Sequence, residues 1–396
     1  VIQWEIGTVA QVVRTDNGIQ ELRVRMQDGT TENALHYLGD GRPPLSAADV
    51  VLMNTTAVRL GLGTGGYHFI HALLPQEEKA GPSVATRTAR ILPDRKGRRP
   101  GHVMKLRYTS LQRAVLAAEE PDSPHHGLFK EQRSLEGMPV LIGDVHSMLP
   151  VSAAWLRRAE KERSANLRGQ EHQPLAGLRL VYVMGDGGAL PLSFSRHVAE
   201  LTKLGWLQGT VTYGHAYGGD LETVNKFTAL LAARHALKAD IAIAVMGPGI
   251  AGTGTPLGHS GIEAGELVNA VSALGGIPVI VPRISFADSR NRHRGLSHHT
   301  VTSLATAALA KALVPLPAAL RPDERDLLER QLEEHGLSFK HDIRWFDVPA
   351  VEDVETSLSA YPVPVTTMGR SLRDDPAFFQ AACAAAQAAW ELCRGK

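Results

Sequence analysis

Residues 283 to 300 read Arg-Ile-Ser-Phe-Ala-Asp-Ser-Arg-Asn-Arg-His-Arg-Gly-Leu-Ser-His-His-Thr, the densest run of reactive side chains in the sequence. It holds Arg283, Arg290, Arg292 and Arg294 together with Asp288, His293, His298 and His299. Imidazole and carboxylate groups are ligands for zinc or another divalent transition metal, and these could combine with His146, Asp186 or His215 from other loops. The spacing matches none of the specific ligand motifs, and four guanidinium groups would repel a cation. The competing reading is a cationic loop for a phosphorylated or otherwise anionic small molecule, with a histidine as general acid or base. Neighbouring His298 and His299 point in different directions on any regular backbone, so one of the two is expected to face a metal.

A second segment suits anions. Gly247-Pro-Gly-Ile-Ala-Gly252 satisfies G-x-G-x-x-G and continues through Thr253, Gly254 and Thr255 to Gly258-His-Ser-Gly261. Glycines at 247, 249, 252 and 254 let backbone amides approach a phosphate, and the threonines add hydroxyl donors. A dinucleotide fold starts its helix at once and ends the following strand in an acid, whereas here about ten loop residues intervene and the next strand ends near Arg283. Arg283 would suit a 2′-phosphate, which keeps NADP open but disfavoured. No Lys follows Gly252 or Gly254, and Gly258-His-Ser-Gly261 runs on to Ile262, so a Walker loop and a hydrolase nucleophile elbow are both missing.

The elements that must position these groups follow from periodicity. Ile6 to Leu74 carries short period-two runs with turns at Asp16-Asn17-Gly18 and Asp28-Gly29, a hairpin-rich, barrel-like module. At its end Leu60 to Gly66 is a tight turn into the strand Tyr67 to Leu74, since a phosphate cradle would need a helix behind the glycines. Gln76 to Pro100 reads as a linker. Nine Lys or Arg stand against one acid between Arg87 and Arg113. The Arg95 to Arg99 block could hold nucleic acid through its phosphates, but no aromatic set interleaves with it.

Thereafter strands alternate with amphipathic helices. Strands are expected at Pro139 to Gly143, Leu178 to Met184, Thr210 to Tyr213, Asp240 to Met246 and Ile277 to Ile284. Helices are expected at 151–161, 190–204, 221–237, 262–274 and 300–313. Asp220 is placed to cap the third of these, with Val224, Phe227, Leu231 and Leu237 as its core stripe. A charged helix over 322–334, strands at 343–348 and 362–367, and an Ala-rich helix over 376–393 complete the pattern. The fold class is α/β: a mostly parallel, doubly wound, Rossmann-like sheet over residues 101–396, preceded by a small β-barrel-like module with a basic linker over residues 1–100.

Ligands of such sheets bind beyond the carboxyl ends of the strands. The polar residues fall there: Asp144, His146 and Ser147; Gly185 to Gly188 with Asp186; Gly214 to Asp220 with His215; Gly247 to Gly252; and 283 to 300. Of 17 histidines, His125, His126, His146, His215, His259, His293, His298 and His299 lie in or near these loops.

The chain has 396 residues, 43% of them hydrophobic and 21% charged, with a net charge of +1, which suits an ordinary globular protein with a sizeable core. No apolar run approaches the ~18 residues a membrane helix needs. The opening Val-Ile-Gln-Trp-Glu lacks the features of a signal peptide, and a cytoplasmic location is expected. Two cysteines, Cys383 and Cys393, turn to different faces of one helix, so neither a disulfide nor a thiolate metal site is expected.

Taken in order, Asn54-Thr-Thr-Ala-Val, Leu62-Gly-Thr-Gly-Gly-Tyr-His68, Leu135-Glu-Gly-Met-Pro139, His146-Ser-Met-Leu-Pro150, Asp186-Gly-Gly-Ala-Leu-Pro191, Gly218-Gly-Asp-Leu-Glu222 and the segments 247–261 and 283–300 resemble a bacterial family known as domain of unknown function 3866. The resemblance spans most of residues 1–315 and implies no catalytic role. On the residues alone the expectation is an enzyme acting on a small anionic or phosphorylated ligand. Gly247 to Gly254 would hold the anion, Arg283 and Arg290 would neutralise it, and His146, Asp186, His215, Asp288, His293 and His298 would supply acid and base groups. The alternatives are a metal-dependent hydrolase on the same Asp and His residues, with the metal unknown, and a nucleic-acid-binding or regulatory protein.

Overall fold

Trp4–Asp16 (β1) and Ile19–Met26 (β2) form an antiparallel hairpin, and along β2 buried residues alternate with half-buried or exposed ones, the period of a strand with one face on a core. Thr31–Tyr37 (β3), Val50–Asn54 (β4) and Tyr67–Leu74 (β5) complete a closed barrel in the order β1-β2-β3-β5-β4. All its pairs are antiparallel except β3 with β5. Val9, Leu22, Val24, Ala34, Val51, Met53 and Ile70 fill it. The Asp28-Gly29 turn is held by the Thr30 amide and hydroxyl, which donate to Asp28 Oδ1 at 2.9 and 2.6 Å. The structure, a computed structural model, describes residues 1–396 except 17, 39–41, 63–64, 76–100, 132, 168–176, 186, 189, 348–349 and 395–396. The linker with its Arg95 to Arg99 block and Asp186 lie outside the described residues. The chain divides into two units, Val1–Ser123 and Pro124–Lys396, and the short hairpin Val103–Lys105 (β6) and Arg113–Val115 (β7) belongs to the first.

The second unit is an α/β domain. Its strands are Pro139–Gly143 (β8), Leu180–Met184 (β9), Gly209–Thr212 (β10), Leu221–Glu222 (β11), Ile241–Val245 (β12) and Ile277–Ile280 (β13). After a small ribbon of Ile284–Ser285 (β14) and Gly295–Leu296 (β15) come Leu313–Pro317 (β16) and Asp342–Phe346 (β17). Eight of them form one sheet in the order β11-β10-β9-β12-β8-β13-β16-β17, with every pair parallel. β8, β9 and β12 are buried at every residue, as central parallel strands covered on both faces must be. Helices Met148–Leu167 and Pro376–Arg394 pack together on one face, where Leu141, Tyr182, Ile241, Ile243 and Phe379 share a core. Helix Glu263–Ala273 packs on β8 and β13 from the other face, beside the turn Ser303–Ala307.

The chain after β8 therefore leaves to one face and the chain after β12 and β13 to the other. That divergence makes a crevice beyond the carboxyl ends of three adjacent strands, the switch point at which such sheets bind ligands.

Several local expectations are corrected. The run 277–284 leaves the sheet after Ile280, and only its last residue, Ile284, pairs in the β14–β15 ribbon. Asp220 caps no helix; its Oδ2 accepts from the Thr210 amide and hydroxyl, because the chain first adds β11 to the sheet. Asn225 is the cap, accepting from the Phe227 and Thr228 amides at 2.9 and 3.1 Å. The helical turns after Asn225 bury Ala229, Leu230, Ala232 and Ala233, while Val224, which precedes the helix, and Phe227 are 47% and 45% exposed. Segment 362–367 is no strand and makes only a bridge between Thr367 and Arg370. Among the described residues no helix is long and apolar enough to cross a membrane.

Candidate functional site

Three central strands deliver the groups in this crevice. Asp144 follows β8 at once, His259 closes the long loop after β12, and Arg283, His293, His298 and His299 lie on the excursion after β13. Ser297 caps the helix His298–Thr302, accepting from the His299 amide, so both histidines sit in its first turn. Their rings lie 4.4 Å apart, edge to face, and the His293 ring is 4.9 and 5.0 Å from them. One ligand atom from each of His293, His298 and His299 falls within 4.8 Å of the others. The expectation that only one of the adjacent pair would face the site is thus corrected: at a helix start, with the chain arriving extended at Ser297, both imidazoles reach the same space.

The surrounding groups orient the rings. His293 Nδ1 lies 2.8 Å from Ser297 Oγ, which leaves its Nε2 free for a ligand. His299 Nδ1 lies 3.3 Å from Asp144 Oδ2, the arrangement in which a carboxylate fixes an imidazole whose other nitrogen binds metal. His298 Nε2, both nitrogens of His259, Asp144 Oδ2 and Arg283 Nη2 are buried without a hydrogen-bond partner. Orphaned buried polar atoms cost free energy, and four residues holding them in one crevice mark a place built for something else.

Two glycines keep it open. A Cβ at Gly252 would stand 3.4 Å from His299 Nε2, and one at Gly261 would stand 3.0 Å from Asp144 Cβ and 3.1 Å from His259 Nδ1.

Electrostatics favour neutral imidazoles. Burial, the Arg283 and Arg290 charges and the neighbouring histidines push His293 down to about 3. Burial together with His299, His259, Arg292 and Arg283 pushes His298 down to about 4. His259 is lowered in the same direction, chiefly by burial. Burial pushes the Asp144 carboxyl up, yet hydrogen bonding from His299 and the Arg283 charge outweigh it, and Asp144 is held below the usual carboxylate range. Neutral imidazoles beside an ionised carboxylate are the protonation states that a divalent metal requires.

The expected residues are distributed as follows. His293, His298 and Arg283 converge in the crevice, and Arg283 is only 3% exposed. Gly252 borders it, and Gly254 lies against the Arg292 guanidinium. Asp288 and Arg290 pair with each other instead, at 2.9 and 2.8 Å, and Arg370 adds a contact to Asp288 at 3.2 Å. Arg370 also pairs with Asp375, which accepts from Ser285, so this network ties the excursion to the start of the final helix. His146 spends both nitrogens, Nδ1 on the Met246 carbonyl at 3.1 Å and Nε2 on Ser195 Oγ at 2.6 Å.

Thr253 and Thr255 bond each other and the Gly258 backbone, so the loop 251–260 closes on itself. Gly247 and Gly249 precede it, and the helix begins only at Glu263 after a turn at 260–262. His215 is half-buried in the loop between β10 and β11. Asp144, His259 and His299 are noted in these loops by the sequence but stand outside its set of acid, base and anion-holding residues. The available signal for Asp144 was its place directly after a fully apolar strand.

Of the four arginines only Arg283 is buried beside the imidazoles; Arg290 is paired with Asp288, and Arg292 and Arg294 are exposed to water, so the repulsion of a cation comes chiefly from Arg283. Comparison with curated proteins yields no match. The excursion, the Gly-rich loop and the whole parallel sheet fall within residues 39–386, which match the family described as "Protein of unknown function (DUF3866)", and the chain belongs to that family.

Proposed function

We propose that the protein is a hydrolase in which a divalent transition metal, held by His293, His298 and His299, activates water against a small anionic substrate. The observation that carries this reading is the convergence of three imidazole ligand atoms within 4.8 Å at the switch point of a parallel sheet. Three protein ligands leave a coordination position for water, whose pKa a bound metal lowers to about 7. Asp144 fixes the His299 ring, and Ser297 fixes His293. Arg283, buried with an unused Nη2 donor, binds an oxygen of the substrate's carboxylate or phosphate.

The test is elemental analysis of tag-free protein beside His298→Ala. Near-stoichiometric metal in the wild type that falls in the variant is the expected result. Wild-type protein that holds no metal after incubation with zinc or manganese would overturn the reading.

A further inference from the structure

His259 belongs to the imidazole cluster but not to the three-histidine site. It is 6% exposed, and its buried ring nitrogens make no well-formed hydrogen bond, with only a weak contact to the Pro256 carbonyl. Its ring stacks on His299 with centroids 4.0 Å apart and planes only 6° from parallel. A metal sits in the plane of the imidazole that binds it, at about 2.0–2.1 Å from the nitrogen. Two stacked, parallel rings cannot both direct in-plane lone pairs at one ion. The lone pair of His259 therefore addresses a second position, out of the His299 plane by about the ring spacing, an offset compatible with the ~3.5–4 Å separation of two-metal sites.

A carboxylate stands at that second position. Asp144 Oδ2 and His259 Nδ1 both border the space that a side chain at Gly261 would fill, at 3.3 and 3.1 Å from it. Asp144 Oδ2 is buried, makes no well-formed hydrogen bond and has His299 Nδ1 3.3 Å away, so it adjoins both positions.

We infer that the crevice takes two divalent ions, one on His293, His298 and His299 and a second on His259 and Asp144. The inference rests on the metal-dependent reading above and extends it. With two protein ligands against three, the second ion binds more weakly and is lost first on dialysis.

The experiment is a titration of metal-free protein with Mn²⁺, with bound manganese counted at equilibrium and its electron paramagnetic resonance spectrum recorded. Two equivalents are expected, the weaker one converting an isolated-ion spectrum into an exchange-coupled one. His259→Ala and His259→Gln should each hold one equivalent with an uncoupled spectrum. A single equivalent in the wild type, or two that remain uncoupled, would overturn the second site and leave the three-histidine reading standing. Two coupled ions in folded His259 variants would overturn it as well. No bound manganese would overturn the second site, and no bound zinc either would overturn the three-histidine reading with it. Wild-type stoichiometry and coupling decide the matter even if a variant fails to fold.

Discussion

Asp144 and Asp288 are both buried carboxylates at the same edge of the sheet, yet they have opposite capacities. Asp288 is saturated by Arg290 and Arg370, whereas the Asp144 Oδ2 has only the His299 ring, 3.3 Å away, beside it. Asp288→Asn is therefore expected to cost about 2 kcal/mol in urea unfolding, the scale of a lost charged hydrogen bond, with metal content unchanged. Asp144→Asn should weaken metal binding about 10–100-fold while unfolding much as the wild type does. Equal effects of the two substitutions on metal would refute this division. The histidines make a prediction about pH. His146, His293 and His298 sit at about 4, 3 and 4 when folded, below the ordinary 6.5 that they regain on unfolding. Between those values the unfolded chain binds protons that the folded one does not, so their stabilisation is full above 6.5 and is lost as pH falls toward 4. The melting temperature of metal-free protein should drop progressively across that window, and a flat profile there would show that these rings are not held neutral. Residue types were legible in the sequence, but roles were not. Asp288 and Asp144 look alike until Arg290, two positions on, and Arg370, 82 positions on, are placed against Asp288.

At the scale of elements, the Gly-rich loop frames the imidazoles more than it cradles a phosphate. Its threonines are consumed internally, and Gly252 leaves His299 Nε2 uncovered. Gly252→Val should lower metal affinity about 10-fold, the scale of a disturbed outer-shell contact, with little change in the thermal midpoint. Unchanged affinity would remove Gly252 from the site. Strands were the most legible elements: β8, β9 and β12 are unbroken apolar runs and stand within two residues of their expected bounds. The helix after β11 was misread because β11 is only two residues long, too short to carry a period, and its pairing with β10 is a long-range event. Asn225, its actual cap, should cost about 1 kcal/mol of stability when replaced by Ala. The pairing of His298 with His299 was illegible for a related reason: the periodicity argument holds inside a helix and not in its first turn.

For the whole molecule, metal and stability are linked. An ion that binds only the folded state at 100 times its dissociation constant adds about 2.7 kcal/mol, so a chelator should lower the melting temperature of the wild type and leave that of His298→Ala unmoved. The cluster and its sheet lie entirely within Pro124–Lys396, and a fragment of those residues is expected to retain the metal. The barrel and the parallel sheet were both readable as classes from their periods, while the strand order was not, because β8 pairs with β12 and β13, each about a hundred residues or more further along. The helix Pro376–Arg394 has a consequence of its own. It is rich in alanine, buried along most of its length, and packs against β8, β13, β16 and the helix Met148–Leu167, all of which precede it. On the ribosome, then, the apolar floor of one side of the sheet is synthesised well before its cover. For the seconds needed to translate the intervening residues at ~5–20 per second, the nascent chain carries that apolar surface without its cover.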